Sequence, residues 1–524
     1  MFIPGQVRVS LLFICGLSVL IFFVFSENAF QNRASNSIKY TEHGFSDTPT
    51  NVFRFKKRQH DKPNRILFNQ STETNTYIRA LRRYVSNRLI FIASFDVTYA
   101  EMALNLYLTS FKKFNIVNHL FVASDSLACA EIEPYGAHCI QYLNMTTAKT
   151  PSIFKTVDYN IKSCIKPRII ADFLKSGFDV LLVDLDIVFL KDPLPFFQNC
   201  QECDLITQCD SREINSGFFL IRNTSGGIQL FDRIVTMKLR RPSVDQVYVN
   251  KAARKLGNKT KIQCLPGDQF QLGNSFFTRG QRLFIGDNPC NQCVIVHNNY
   301  IVSLEGKIYR FKEYGLWAVD KHRYYSDKNR MYISYDNPID LNNKTKYKEF
   351  DNKKMDLMSL KAALIIGRIL NRTVILPKFH CQGAEGYRPA PGQMCHFGNH
   401  YAVRRLELYL PVLTTYREHV FLEHPLVPKS TKESKSETFL IASSIWEHSE
   451  YAVLNGSHPV KTLKPKGARV LSSEIKKWFA TKSTKILVFH SLYNEFDTND
   501  SIVMDMLDIL SKAIKGTNFM QVWQ

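Results

Sequence analysis

The stretch LLVDLDIVFLKDP, residues 181–193, reads as a hydrophobic strand that carries two carboxylates, Asp184 and Asp186, in its middle. Unpaired carboxylates are expensive to bury. Period-two alternation puts both on one face, or both at the exit of the strand, with Leu185 facing away. Two like charges this close raise each other's pKa unless a cation lies between them. A divalent metal meets that need, because hard cations such as Mg2+ or Mn2+ prefer carboxylate oxygens together with phosphate oxygens. A bare Asp-x-Asp is more often a strand end whose carboxylates cap a turn or meet a base such as Lys191. Here the apolar run before the pair and IVFLKDP after it place the pair at the exit of a central strand, with Asp192 and Pro193 as the closing turn.

The flanking sequence supplies the rest of a sheet. LIFIASF (89–95) and HLFVASD (119–125) read as strands, EMALNLYLTSFKKF between them has helical spacing, and KPRIIADFLKSG (166–177) is a helix that stops at Gly177. Strands alternating with helices predict an α/β fold with an open, mostly parallel sheet and ligands at the strand C-terminal ends. A second α/β unit begins near residue 325. Its MDLMSLKAALIIGRILNRTVILPKF (355–379) reads as an apolar helix broken near Asn371 and running into a strand, and ETFLIASS and KILVFHS read as further buried strands.

The chain has 524 residues, 45% of them hydrophobic and 12% aromatic, which suits a globular protein of two domains with appendages. Val9 to Phe25 is an uncharged run preceded by Arg8 and followed by Glu27, which predicts a retained signal anchor with a cytoplasmic N-terminus. A cleaved signal peptide is the alternative, but SENAF offers a poor cleavage site. The expected order is a tail (1–8), an anchor (9–25), a polar, basic stem (26–88), a catalytic domain (89–324) and a C-terminal α/β domain (325–524). Sequons at Asn69, Asn144, Asn223, Asn258, Asn343, Asn371, Asn455 and Asn499 agree with a lumenal chain. The net charge of +21 invites a nucleic-acid reading, which the topology excludes. The relevant anions become nucleotide diphosphates, acidic glycans and lipid headgroups. In an oxidising compartment CQEC (200–203) and CNQC (290–293) favour disulfides over a zinc site, and Cys381 and Cys395 can close one loop.

GFDVLLVDLDIVFLKDPL, NSGFFLIRNT (215–224), DQVYVN (245–250) and HNNYIVSLEGKIYRFKEYGLW (297–317) occur in that order, and together they resemble the blocks of the nucleotide-diphospho-sugar transferase family 77, which includes plant arabinosyl- and xylosyltransferases. The resemblance implies a nucleotide-sugar-binding, GT-A-like catalytic domain. It implies a metal site of Asp184, Asp186 and His297, with Asp184 also near the ribose, holding Mn2+ or Mg2+. Lys307 would offset diphosphate charge, and Asn215 and Gly217 would lie against the sugar. Asp245 and Gln246 would face the reacting sugar, with Asp245 the nucleophile if the retaining reaction runs through a covalent intermediate and same-face attack the other route. Ser94, Asp125 and Arg168 are further candidates for the nucleotide pocket, from their strand-end or helix-start positions. Ser303 stands where the family usually has glycine. The expected partners are a nucleotide-sugar donor, UDP-linked, a glycan or glycoprotein acceptor, and the Golgi or endoplasmic reticulum membrane. LKAALIIGRILNRTVILPKF also resembles a segment of fucosyltransferases, which implies, as an alternative, a metal-independent transferase whose site lies in the C-terminal half. A second alternative is a glycan-binding protein that has lost turnover. Such a protein has no need to keep Asp184, Asp186, His297 and Lys307 together.

Overall fold

The computed structural model describes residues 88–125, 127–142, 165–211, 213–240, 244–279, 290–336, 352–381, 393–442, 460–490, 492 and 494–514. The anchor expected at 9–25 and nearly all of the stem lie outside them. Among the described residues no helix is long and apolar enough to cross a membrane.

In chain order the first half supplies β1 (Leu89–Phe95), β2 (His119–Ala123), β3 (Cys139–Gln141), β4 (Asp179–Val183), β5 (Ile187–Phe189), β6 (Leu205–Asp210), β7 (Glu213–Ile221), β8 (Ile262–Cys264), β9 (Phe270–Leu272) and β10 (Ile295–His297). Seven of these form one sheet in the order β3-β2-β1-β4-β7-β6-β8. β3 to β4 run parallel, and β7 is antiparallel to both neighbours. β1 is apolar on both sides because both are covered. Ile90 and Ile92 enter one buried cluster, and Phe91 and Ala93 enter the other. Three helices of this half matter for the site: α1 (Ile165–Lys175), α2 (Asp245–Leu256) and α3 (Leu304–Glu313). α1 stops as its sequence predicts, with Gly177 at φ 91°.

One expectation is corrected at the decisive stretch. Residues 181–193 do not form a single strand. β4 ends at Val183, and β5 pairs antiparallel with β10 in a separate three-stranded sheet, β5-β10-β9. Between them the backbone turns, with Asp184 N–H donating to Gly217 O (2.8 Å) and Ile187 N–H to Asp184 O (3.2 Å). Both carboxylates therefore stand at the junction of the two sheets.

The second half supplies β11 (Tyr332–Asp336), α4 (Asn352–Leu370), β12 (Thr373–Ile375), β13 (Phe379–His380), β14 (Met394–Cys395), β15 (Tyr416–Arg417), β16 (Lys435–Ile441), β17 (Val460–Leu463) and β18 (Ile486–His490). Six strands form an all-parallel sheet in the order β15-β12-β11-β18-β16-β17. α4 ends before Asn371, whose φ of 51° breaks the helix where the sequence placed the break. A single apolar cluster includes Leu181 and Phe218 of the first sheet, Tyr309 and Phe311 of α3, and Ile333, Val374 and Leu487 of the second sheet.

Disulfides join Cys129–Cys139, Cys200–Cys203, Cys209–Cys264, Cys290–Cys293 and Cys381–Cys395. CQEC and CNQC thus each close on themselves, and neither holds zinc. Cys164 lies outside the described residues.

Candidate metal and donor site

Asp184, Asp186 and His297 meet at the C-terminal edge of the first sheet, each offering one ligand atom, all within 4.8 Å of one another. The short sheet brings them together. β10 pairs with β5 so that His297 sits opposite Ile187, one residue past Asp186. Asn298 N–H then donates to Asp186 O (2.7 Å), locking the two segments.

Two lysines offset the charge of these carboxylates. Lys166, in the first turn of α1, donates to Asp184 Oδ1 (2.8 Å) and Asp245 Oδ2 (2.7 Å), and to Ser216 O (3.2 Å). Its three ammonium protons therefore have three acceptors. Burial works to lower its pKa, but the Asp184 and Asp245 carboxylates outweigh burial and hold it above the usual lysine value. Lys307 of α3 forms an ion pair with Asp186 Oδ2. Burial would raise the Asp186 carboxyl, but Lys307 and then His297 hold it well below the usual carboxylate range.

Each of the two carboxylates gives one oxygen to a lysine, which leaves Asp184 Oδ2 and Asp186 Oδ1 for the space beside His297. His297 Nε2 lies 3.4 Å from Asp186 Oδ1. Its other nitrogen is fixed by Gln208, whose Nε2 donates to Phe270 O (3.0 Å), so its Oε1 accepts from His297 Nδ1–H (2.8 Å). Nε2 is thus the nitrogen that faces the carboxylates, the orientation a ligating histidine needs. Gly217 completes the cradle. A Cβ there would stand 2.6 Å from both Asp184 Oδ2 and His297 Cε1, closer than atoms pack. Two carboxylate oxygens and an imidazole nitrogen fit a hard or borderline divalent cation. His297 aside, three carboxylates face two ammonium groups.

The other sequence candidates separate into those that join this cluster and those that do not. Asn215 is buried, and its Oδ1 accepts the Gly217 N–H (2.8 Å), shaping the NSG segment of β7 against Asp184. Asp245 is buried at the start of α2 and shares Lys166 with Asp184, so one ammonium separates two carboxylates. Gln246 is half-buried next to it. Ser94 lies on β1 level with Asp184, since Ile92 pairs with Leu182 in parallel register. Asp125 is a capping residue: its oxygens accept the backbone N–H groups of Val97 (2.8 Å), Leu127 (3.0 Å) and Ala128 (3.0 Å). Arg168 is exposed on α1, and two residues along a helix turn it away from the side that Lys166 uses. Ser303 caps α3, its hydroxyl accepting the Gly306 N–H (2.9 Å).

Lys166 and Gln208 were missed by sequence reasoning. KPRII offers two basic residues at a helix start, and only the phase of the helix tells which one faces the sheet edge. Gln208 carries no motif at all.

Residues 115–311 match the model of the nucleotide-diphospho-sugar transferase family. The chain is 27% identical over 203 residues to UDP-D-xylose:L-fucose alpha-1,3-D-xylosyltransferase 3 of Arabidopsis thaliana, covering 32% of this chain and 50% of that protein. It is 26% identical over 219 residues to UDP-galactose:fucoside alpha-3-galactosyltransferase of Dictyostelium discoideum, covering 37% and 31%. The chain thus spans half or less of the length of these two relatives. Among solved structures, the glycosyltransferase GlyE of Streptococcus pneumoniae is similar over 56% of this chain and 74% of its own, at a TM-score of 0.30 and 13% identity. Residues 115–311, the segment that carries Lys166, Asp184, Asp186, Asp245, His297 and Lys307, are thus the part of the chain that is similar to the nucleotide-diphospho-sugar transferase family.

Proposed function

We propose that this protein is a metal-dependent glycosyltransferase that moves a pentose or hexose from a UDP-linked donor to a glycan or glycoprotein acceptor, with retention of configuration. The observation that carries the reading is the Asp184–Asp186–His297 cluster with its two attendant lysines. The relatives' UDP-sugar names support the donor class. Asp184, Asp186 and His297 would hold Mn2+, or Mg2+, which when bound supplies Lewis acidity toward the donor diphosphate.

The chain's own groups divide the remaining work. Lys307, on the rim of the cluster, offsets charge on the departing diphosphate. Lys166 pairs with Asp245 and fixes it beside Asp184, so a carboxylate faces the sugar either as nucleophile or as a stabiliser of positive charge at the anomeric carbon. Gln208 holds His297 in the ligating tautomer, and Gly217 lets the backbone pass beneath the donor. The domain reading, with the transferase unit in 89–324 and an acceptor-shaping α/β unit in 325–524, belongs to this proposal, as do the 9–25 anchor and a Golgi or endoplasmic reticulum lumen.

The test is a panel of nucleotide sugars offered with Mn2+ to the purified protein, reading donor hydrolysis and transfer. Activity that survives a chelator would favour the metal-independent, fucosyl-type alternative. Full activity in Asp186→Ala would remove the site assignment.

A further inference from the structure

The C-terminal edge of the second sheet collects bases instead of acids. Lys378 lies just beyond β12 and His419 just beyond β15. These strands are parallel neighbours, with Val374 opposite Tyr416 and Ile375 opposite Arg417, so both residues leave the same edge. His396, directly after β14, joins them: its ring is 4.8 Å from His419 and stacks on Tyr314 at 3.9 Å. Among the described residues Lys378 forms no ion pair.

A second observation is independent of this clustering. Among the described residues His396 Nδ1 and both ring nitrogens of His400 have no hydrogen-bond partner, although His400 is 6% exposed. Native interiors leave few such atoms, and each calls for a missing partner. Lys378, His396 and His419 keep part of their surface in solvent, so the group lines a recess and is not sealed core.

The carboxyls nearby do not serve as that partner. Glu313 accepts the Gly398 N–H (2.9 Å), and burial pushes it up to about 8. Glu418 precedes His419 but turns away to accept the Tyr324 hydroxyl (2.6 Å). Burial first, then its neighbours His419 and Lys378, holds His396 well below the usual histidine value, and burial and Lys378 bring His419 to about 3. Among the described residues, imidazole nitrogens and one unmatched ammonium thus gather with no carboxylate paired to them. In open parallel sheets that edge is where ligands bind.

We propose that Lys378, His396 and His419 bind an oxyanion, and that this oxyanion is the carboxylate, sulfate or phosphate of an acidic acceptor glycan. The acceptor part rests on the transferase reading. Position supports it: Tyr314, on which His396 stacks, lies seven residues after Lys307 along and just past α3, about 10 Å at 1.5 Å per residue. A short oligosaccharide bridges that span.

The test uses the full chain in detergent, without metal or donor. Carbethoxylation of His396 and His419, mapped by peptide mass spectrometry, should slow when inorganic sulfate or glucuronate is added. A uronate-bearing disaccharide should bind in equilibrium titration, its neutral counterpart should not, and Lys378→Gln should weaken binding by about tenfold or more. Equal binding of the charged and neutral disaccharides, or no protection in the unmodified chain, overturns the proposal. Protection by UDP or GDP but not by glucuronate overturns the acceptor assignment. The protection readout needs no variant, so a misfolded Lys378→Gln protein does not shelter the idea. Since no donor or metal is present, failure here leaves the transferase reading to be judged by Asp186→Ala alone.

Discussion

Two strand edges in this molecule solve opposite charge problems. At the first sheet, Asp184, Asp186 and Asp245 are each met by a lysine, beside an oriented imidazole. At the second, Lys378 and the surrounding imidazoles have no such counterpart, and buried nitrogens stay unpaired. In the proposed reading the first edge is organised in advance for a cation, with the carboxylates placed and the His297 ring held by Gln208. The second gathers a lysine and imidazoles with no carboxylate paired to them among the described residues. Both stand where parallel strands end, so the difference comes from the residues carried there and not from the fold.

The largest expected effect comes from removing an acid at the first edge. Asp186→Ala deletes a ligand and leaves Lys307 without its partner, and donor hydrolysis and transfer should fall by about a thousandfold or more. If activity instead survives, the acid edge is not the reaction centre and the comparison collapses. Next comes Lys166→Met, which leaves Asp184 and Asp245 facing each other without a cation. We expect kcat to fall by about a hundredfold and stability by about 3 kcal/mol, read by steady-state kinetics and denaturant unfolding. Lys166→Arg keeps the charge and should recover part of both. Equal loss in the two variants would mean that geometry, not charge, is what Lys166 supplies.

How much of this was legible beforehand follows from where each residue's information lies. Asp184, Asp186 and His297 could be found because ordered local blocks carry them. Lys166 could not be told from Arg168, because the choice depends on which side of α1 meets the sheet. The reading of 181–193 as one strand failed for a related reason. Alternation describes a strand's faces but does not reveal that its ladder changes partner at Asp184, from β4 with β7 to β5 with β10. Gln208 was invisible, since its role exists only through a hydrogen bond to a histidine 89 residues away. The bases of the second edge come from separate segments that only the sheet register brings together.

Gln208→Leu sharpens the claim that the first edge is organised in advance. Losing the acceptor of His297 Nδ1–H frees the ring to rotate and to take the other tautomer. Metal affinity should drop by about 10- to 100-fold, measured by Mn2+ titration of activity, with kcat recovering at high metal. A fall in kcat that excess metal does not restore would place Gln208 in the chemistry itself.

The smallest effect concerns the helix between the two edges. α3 carries Lys307 toward the acid edge and ends at Glu313, which accepts the Gly398 N–H beside the basic recess. Burial raises the Glu313 carboxyl from its ordinary 4.5 to about 8. The folded state therefore holds a proton there that the unfolded chain releases earlier. Its contribution to stability is full below about 4.5, declines as the pH rises toward about 8 and is flat above. Glu313→Gln mimics the protonated form, so the stability of the native protein relative to this variant should fall across that window. Denaturant unfolding of both proteins at several pH values measures it. A difference that stays constant from pH 5 to pH 8 would mean that Glu313 is ionised throughout. The recess would then have its own counter-charge, and the contrast between the edges would weaken.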